Sequence, residues 1–563
     1  MKLKGISASS GVAVGPFFLL STNIPVPTSQ MSQLSFEQEG HLLNLAIKRV
    51  GQDLEARAAR TSGELRDILL ATMEIATDPA IAEEAAGFIA SGHTASYAMV
   101  KAAEVFQELL SASGGYLAER VSDVANIRDR VLCEIAGIAY PEIPPFEQPT
   151  VLIAQDLSPA DTSDLDRGKI LAIVTAGGGP TSHTAIIARS HGIAAIVACA
   201  DVIEAAKLHK GNNVAVDATE GLVTFNPDAQ LVGQIAEKIE KIKARKSRVL
   251  AHGPDGYATS DGFITPIYAN IGRLEETSVA VASGADGVGL LRTELLYLDR
   301  KDAPTLQEQT AIYSELIKPF IGKKVIIRTL DAGADKPMAF INFDKEPNPV
   351  LGIRGFRTSI THEHLLRTQL EAIAQAAKDS QVEVWVMAPM ITFPSEASTF
   401  VKMAREYGLQ KAGVMIEVPA AVFLADEITK VCDFISIGTN DLGQYLHAAD
   451  RESAPLAAFN NPWQPALLRA IELIAQAGLK NNCPVGVCGE AASDPVLAPV
   501  LIGLGVNSLS CNVTTLGDVA QSITAHSLEQ LLLAGKAVLA AKTAQDAKNL
   551  ARAQLVELHN LGL

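Results

Sequence analysis

The chain changes its hydrophobic rhythm three times, and each change predicts a different kind of element. Residues 1 to about 20 alternate apolar and small side chains around Gly5, Gly11 and Gly15, the period-two pattern of short strands. From about 30 to 137 the apolar positions fall three and four apart. Leu42, Leu43, Leu45, Ala46, Val50 and Leu54 make one helical stripe, and Ile68, Leu69, Leu70, Met73, Ile75 and Ala76 make a second. Asp78-Pro79 separates two of these helices, with Pro79 placed for a first helical turn, and Tyr116 to Ile135 reads as one more long helix. The proline-rich run Tyr140-Pro141-Glu142-Ile143-Pro144-Pro145-Phe146 closes this block.

Between about 150 and 225 strand and helix patterns alternate, as in a small α/β domain. Asn226-Pro227-Asp228 then opens a helix to about Val249 with Leu231, Ile235, Ile239 and Ile242 at helical spacing; its Lys and Glu content suits a solvated connector or a plain spacer. Beyond residue 258 eight candidate strands follow: Ile264–Ile271, Gly287–Leu291, Lys324–Thr329, Val350–Ile353, Glu383–Met390, Gly413–Val418, Phe434–Ile437 and Val485–Val487. Eight strands with intervening helices predict a (β/α)8 barrel. The expected fold class is multidomain α/β. An α/β domain is expected from residues 1–20 plus 145–226, a helical domain inserted at 21–144, a linker helix at 227–252 and the barrel at 253–563.

Composition narrows the class. The 563 residues are 48% hydrophobic and 20% charged, enough material for several packed domains. A formal charge of −16 disfavours nonspecific nucleic-acid binding. No apolar run reaches membrane-span length and the N-terminus lacks a signal-peptide pattern, so no membrane insertion is expected. The six cysteines are scattered without a C-x-x-C pair, which argues against a disulfide framework or zinc site and fits a reducing, cytoplasmic setting.

Two places carry candidate chemistry. The strand-like run Lys169–Thr175 leads through Gly177-Gly178-Gly179-Pro180-Thr181-Ser182 to His183-Thr184 and the helical Ala185-Ile186-Ile187-Ala188-Arg189. Free N–H groups and the dipole at a helix N-terminus favour an anion, so a histidine placed there is suited to carry a phosphoryl group. The same pattern also fits a glycine turn whose histidine merely caps a helix. The second place is the set of polar residues ending the candidate strands. Asn270 follows the first, Arg292 and Glu294 the second, Arg328 and Asp331 the third, and Arg354 the fourth. Glu417 sits late in the sixth, Asn440-Asp441 follow the seventh, and Cys488-Gly489-Glu490 the eighth. Barrel active sites are assembled from C-terminal strand ends, so these groups are expected to converge.

Glu417 and Asp441 supply two carboxylates for a hard cation such as Mg²⁺, which commonly completes its shell with substrate oxygens and waters. Arg292, Arg328 and Arg451 offer bidentate donors for phosphate or carboxylate oxygens, and Asn440 one more donor. The expected ligand is small, multiply anionic and metal-bound. Cys488 is either a small buried hydrophobe or a protonated thiol able to give its proton to an enolate carbon.

The stretch Gly178 to Arg189 resembles the phosphohistidine signature of the phosphoenolpyruvate-utilising enzymes. Phe434-Ile435-Ser436-Ile437-Gly438-Thr439-Asn440-Asp441-Leu442, with Gln444-Tyr445, resembles that family's second signature. Supporting matches at Leu290–Glu294, Ile327–Asp331, Met415–Ala421 and Val487–Glu490 extend the resemblance across the barrel. The opening Gly5-Ile6-Ser7-Ala8-Ser9-Ser10-Gly11-Val12-Ala13, the placement of the histidine region ahead of the barrel and the short helical insert are most similar to the enzyme I group of the bacterial phosphotransferase system. ATP-using dikinases, phosphoenolpyruvate synthases and metal-dependent aldolase or lyase barrels are the rivals.

The resemblance implies that His183 is phosphorylated by phosphoenolpyruvate and passes the group to the carrier protein HPr, with pyruvate released. It makes Arg292, Arg328, Asn440, Asp441 and Arg451 phosphoenolpyruvate ligands, Glu417 and Asp441 the Mg²⁺ ligands and Cys488 the proton donor. Thr162, in Ser158-Pro159-Ala160-Asp161-Thr162, is implied to orient the histidine. A homodimer through the barrel and HPr docking on the helical insert are implied as well. Pro180 stands where many members carry arginine, Ala176 where aspartate is frequent, Ser10 for a usual proline, and Ser510-Cys511-Asn512-Val513 for a Ser-Met-Ser run.

Overall fold

The computed structural model describes residues 1–20, 24, 31–61, 64–113, 120–162, 165–166, 168–179, 182–247, 253, 256–297, 300–333, 338, 340–341, 346–378, 380–451, 453, 456 and 458–563. The chain divides into two compact units, Met1–Ile239 and Glu240–Leu563.

In the first unit eight strands form one sheet. They are β1 (Lys2–Lys4), β2 (Ile6–Ser9), β3 (Val12–Leu20), β4 (Thr150–Ala154), β5 (Ile170–Thr175), β6 (Ala194–Val197), β7 (Asn213–Asp217) and β8 (Leu222–Phe225), in the order β1-β8-β7-β3-β4-β5-β6-β2. The neighbours β3, β4, β5 and β6 run parallel; the outer pairings are antiparallel. Every residue of β4 is buried, as a parallel strand covered on both faces requires. One core forms around Val151, Ile153, Val174 and Ile196, and another around Leu152, Ile173, Ala185 and Ala188.

The segment between β3 and β4 is helical: Phe36–Arg60, Glu64–Ala76, Pro79–Ala90, Ala95–Ser113 and Val121–Ala136. Ser35 and Gln38 close a capping box on the first helix, and Asp78 caps the third, with Pro79 in its first turn. The first stripe turns Leu43, Ala46, Val50 and Leu54 inward and leaves Leu42 and Leu45 exposed. The start of the helix expected from Tyr116 lies outside the described residues. Gly137 at φ 64° ends that helix in the left-handed conformation that favours glycine.

The second unit opens with the short pair β9 (Tyr257–Ala258) and β10 (Ile264–Thr265) and is dominated by a closed barrel. Its parallel strands are β11 (Ile267–Ile271), β12 (Gly287–Leu291), β13 (Lys324–Arg328), β14 (Glu383–Ala388), β15 (Ala412–Ile416), β16 (Ile435–Gly438), β17 (Val485–Cys488) and β18 (Ser508–Asn512). The expected strand at Val350–Ile353 is not one. Pro349–Leu351 is a 3₁₀ turn, since a proline without an N–H cannot extend a ladder. The missing member is β18, which pairs with β11 and β17 and closes the barrel. Its pattern hid it, because Ser508, Ser510 and Asn512 alternate with only Leu509 and Cys511 as apolar residues.

Alternation along the barrel strands separates two cores. Val325 and Ile327 of β13 face the surrounding helices, whereas Ile326 joins Leu290, Trp385, Met387, Met415, Phe434 and Cys488 inside the barrel. On the outer layer the helices Leu497–Gly503 and Leu528–Val538 approach so closely that a Cβ on Gly503 would lie 1.8 Å from the Leu531 carbonyl oxygen. Gly503→Ala is therefore expected to lower the unfolding free energy by about 1–3 kcal/mol through overpacking. Urea denaturation followed by circular dichroism measures this; an unchanged midpoint contradicts the tight contact.

Candidate active site

The strand ends of the barrel place a dense set of charges at one mouth. Arg328 is the last residue of β13 and is buried, as are Glu294 after β12, Asp331 after β13, Glu417 just past β15 and Asp441 in the first turn of the helix Thr439–His447. Arg354, expected at a strand end, comes instead from the loop ahead of the 3₁₀ turn Gly355–Thr358 and bridges to Gly333. Its guanidinium is almost fully buried, donating to Asp331 Oδ2 at 3.0 Å and to Asp441 Oδ1 at 3.3 Å. Arg328 donates to Glu294 and lies 3.4 Å from Asp331.

Among the described residues four buried carboxylates thus face two buried guanidiniums, an excess of two negative charges. Charges in that setting must be paired or neutralised. Burial, with Asp441 and Asp331 close by, pushes the Glu417 carboxyl well up against the pull of Arg328 and Arg354. Burial acts to lower the Arg328 guanidinium, but Glu294, Asp331, Glu417 and Asp441 more than offset it, so its proton is held more tightly.

The space beside Glu417 fits a cation. Its Oε1 accepts from the Met390 N–H at 2.7 Å, while Oε2 faces Gly438, where any Cβ would lie 2.6 Å away. Glycine keeps that oxygen accessible. Among the described residues no three acidic, histidine or cysteine side chains converge as a complete metal cage. Two carboxylates leave the remaining positions to ligand oxygens and water, which suits a hard cation brought together with an anionic substrate. Two buried donors of the mouth, Arg328 Nε and Asn270 Nδ2, lack an acceptor among the described residues. Such donors are costly to leave unmet, and an anion satisfies them.

Cys488 ends β17 within the barrel interior. Its Sγ accepts from Ser436 Oγ at 3.5 Å and donates to the Ile437 carbonyl at 3.4 Å. Burial pushes its thiol up, Glu417 adds to this, and Ser436, Arg328 and Arg292 act the other way. The thiol therefore keeps its proton. Asn440 Oδ1 accepts from the Glu490 N–H at 3.0 Å, joining the helix start after β16 to the turn after β17. Gly489 at φ 91° allows this approach, since a Cβ there would meet Asn440 Oδ1 at 2.8 Å. Arg292 stands exposed after β12, and the Arg451 N–H donates to buried Gln444 at 3.0 Å.

In the first unit the glycine turn follows β5 and the helix His183–His191 follows the turn. Ser182 is its N-cap, accepting from the Ala185 N–H at 3.4 Å, so His183 occupies the first helical position. Gly178 at φ 79° makes the bend; a Cβ there would press on Ser182 Oγ at 3.1 Å. The His183 side chain, Pro180 and Thr181 lie outside the described residues. Thr184 donates to Asp156 Oδ1 at 3.2 Å and to the Leu157 carbonyl at 3.3 Å, tying the helix start to the turn after β4. Thr162 is buried and its hydroxyl donates back to the Ser158 carbonyl at 3.3 Å. Ala176 continues the β4–β5 ladder, donating to the Ala154 carbonyl. The turn therefore lies at the C-terminal ends of adjacent parallel strands, the customary ligand edge of such sheets.

The mouth brings together Arg328, Glu417, Asp441 and Cys488, with Arg292 within electrostatic reach of Cys488. Sequence reasoning missed Met390, which holds Glu417 from a left-handed backbone (φ 59°), and the tie from Asp156 to Thr184. Neither carries a pattern: a methionine acting through its N–H looks like any core residue.

Comparison with known proteins is consistent along the chain. Family models described as PEP-utilising enzyme, N-terminal, mobile domain and PEP-binding domain match residues 4–120, 146–221 and 249–527. A phosphoenolpyruvate-protein phosphotransferase from Streptomyces coelicolor is 40% identical over 556 residues, covering 98% of this chain and 99% of its own. One from Geobacillus stearothermophilus is 33% identical over 562 residues, covering 97% and 96%. A solution structure of an enzyme I aligns with 43% of this chain and 99% of its own at 30% identity, with a TM-score of 0.37.

Removing one member of the buried network leaves the others uncompensated. Arg354→Met is expected to destabilise the barrel unit by about 3–5 kcal/mol. Denaturant titration at neutral pH checks this, and a loss below about 1 kcal/mol contradicts the network.

Proposed function

The chain belongs to the phosphoenolpyruvate-utilising enzymes, and we propose that it is a phosphoenolpyruvate-protein phosphotransferase that phosphorylates its own His183 and passes the group to HPr. The observation that carries this reading is the buried mouth, where two carboxylates beside an open glycine meet arginines and a protonated thiol. In this reading Glu417 and Asp441 hold a Mg²⁺ ion, which supplies neutralisation for the substrate's carboxylate and phosphate when bound.

The residues' own work divides into three tasks. Arg292, Arg328 and Arg451, with Asn440, bind and orient the phosphoryl and carboxylate oxygens and stabilise charge that spreads over the phosphoryl group in a loose, in-line transfer. A ring nitrogen of His183 attacks phosphorus through its lone pair. The P–O bond to the enolate breaks and its electrons pass to the methylene carbon. Cys488 gives its thiol proton to that carbon, which yields pyruvate, and the thiolate regains a proton from water. The Glu417 contact to the Met390 N–H fixes the carboxylate, and Asp331 fixes Arg354, so these act as positioning groups.

Two partners must reach one imidazole in line, so the histidine-bearing region travels between the barrel mouth and HPr docked on the helical segment 21–144. Domain limits of 1–20 plus 145–226, 227–252 and 253–563 follow from that division of labour, with Thr162 steadying the histidine turn. Dimerisation through the barrel and a cytoplasmic location complete the proposal. Among the described residues no helix is long and apolar enough to cross a membrane.

Incubation with ³²P-labelled phosphoenolpyruvate is expected to give an acid-labile, alkali-stable phosphoprotein that donates label to HPr. His183→Ala should take up none, and labelled ATP should not substitute. Wild type that stays unlabelled by phosphoenolpyruvate overturns the reading. For Cys488, whose raised pKa keeps the thiol protonated, pyruvate release should hold through neutral pH. It should fall only above the ordinary thiol range of about 8.5. Cys488→Ala is expected to bind phosphoenolpyruvate while releasing pyruvate at least about a hundredfold more slowly, the lower end of what general acid catalysis supplies. Normal turnover in that variant removes the proton-donor role.

A further inference from the structure

The barrel has a second opening. At the N-terminal ends of its strands, opposite the mouth, lies a cavity of about 220 Å³. Its position follows from strand alternation. Pro266, Tyr268 and Asn270 share one face across β11, and Lys324, Ile326 and Arg328 one face of β13. Pro484, Gly486 and Cys488 do the same at β17. In each set the first residue borders the cavity and the last stands at the mouth.

Barrel interiors are ordinarily filled by bulky branched side chains in layers. Here three successive strands carry Ser436, Gly486 and Ser508 in register, with Ser510 at the next inward position of β18, and the volume they leave unfilled is the cavity. Aromatic rings also line it: Tyr268, Trp385 and Phe434, the last two 4.8 Å apart between ring centroids. Lys324 Nζ lies 3.8 Å from the centre of the Trp385 ring and 5.6 Å from that of Tyr268, with no carboxylate in ion-pair contact among the described residues. Glu383 is engaged by Trp385 Nε1 at 2.9 Å. Glu383 also stands opposite Lys324 in the β13–β14 register and acts on its ammonium through space. Aromatic faces, a row of hydroxyls and an ammonium whose nearest carboxylate is held by Trp385 make a recognisable set. The space holds several waters at about 30 Å³ each, or one substituted ring.

We infer that this cavity is a ligand site, separate from the mouth, for a small planar carboxylate whose ring stacks on Trp385 and Phe434 and whose charge pairs with Lys324. Its inner wall touches the mouth. Ser436 Oγ donates to Cys488 Sγ, and Ser510 Oγ donates to Asn270 Oδ1 at 2.6 Å. A ligand that recruits either hydroxyl withdraws it from the residue above, so occupancy is communicated over one side-chain layer.

The test uses benzoate on the full chain carrying Trp463→Phe, which leaves Trp385 as the single tryptophan. Trp385 fluorescence is expected to change saturably with benzoate. Saturating phosphoenolpyruvate should leave a bound benzoate in place, because the two occupy opposite ends of the barrel. Lys324→Met should raise the benzoate midpoint at least about tenfold, equivalent to about 1.4 kcal/mol, whereas Lys324→Arg should keep most of the affinity. Benzamide, the neutral isostere, should bind more weakly and be indifferent to Lys324→Met. A response that stays linear in benzoate, simple competition by phosphoenolpyruvate, or a Lys324→Met protein that melts like wild type and binds benzoate equally well would each overturn the assignment. Should Lys324→Met fail to fold, the competition arm and the benzoate–benzamide difference in the Trp463→Phe protein decide it.

Discussion

The second unit is organised around a buried excess of negative charge. Glu294, Asp331, Glu417 and Asp441 are drawn into one mouth from four points of the barrel, and among the described residues Arg328 and Arg354 are the cations buried with them. In a low-dielectric setting such a cluster persists only with tight pairing, retained protons or an external cation. All three marks are present: short contacts from both guanidiniums, a raised Glu417 carboxyl, and an oxygen kept open by Gly438. The loop that delivers Arg354 is held by this pairing together with an isolated backbone bridge to Gly333, so the site and the local fold depend on the same contacts.

Strand alternation then sorts chemistry by depth. A period of two puts helix-facing aliphatics on one side of β13 and a lysine, an isoleucine and an arginine on the other. One strand therefore serves the bottom cavity, the interior and the mouth in successive inward positions. The small middle layer on β16, β17 and β18 is what lets hydroxyls contact Cys488 and Asn270 from below.

Much of this was legible from residue order, and the misses have physical explanations. The α/β, helical and barrel regions announced themselves through periodicity, because burial imposes it. Glu417, Asp441, Arg328 and Cys488 were legible because polar residues closing β-branched runs are rare without a reason. The stretch Val350–Ile353 passed for a strand on composition, although Pro349 beside it removes a ladder donor. The true closing strand β18 carries serines and an asparagine inward, so its inner face shows no hydrophobic period. Arg354 was read at a strand end and reaches the cluster from a loop, since charge pairing over long sequence separation leaves no local pattern. The role of Met390 was invisible for a simpler reason, being exercised by a backbone N–H.

The parallel pairing of β3 with β4 has a further consequence. Phe17 to Leu20 sit in register with Val151 to Ala154, yet the whole helical segment intervenes in sequence. Parallel neighbours cannot be joined by a tight turn and always need a long return path. The helices fill that obligatory return, so they add no topological burden to the sheet. Lineages could exchange or remodel the segment as a cassette while the register that positions the histidine turn stays the same.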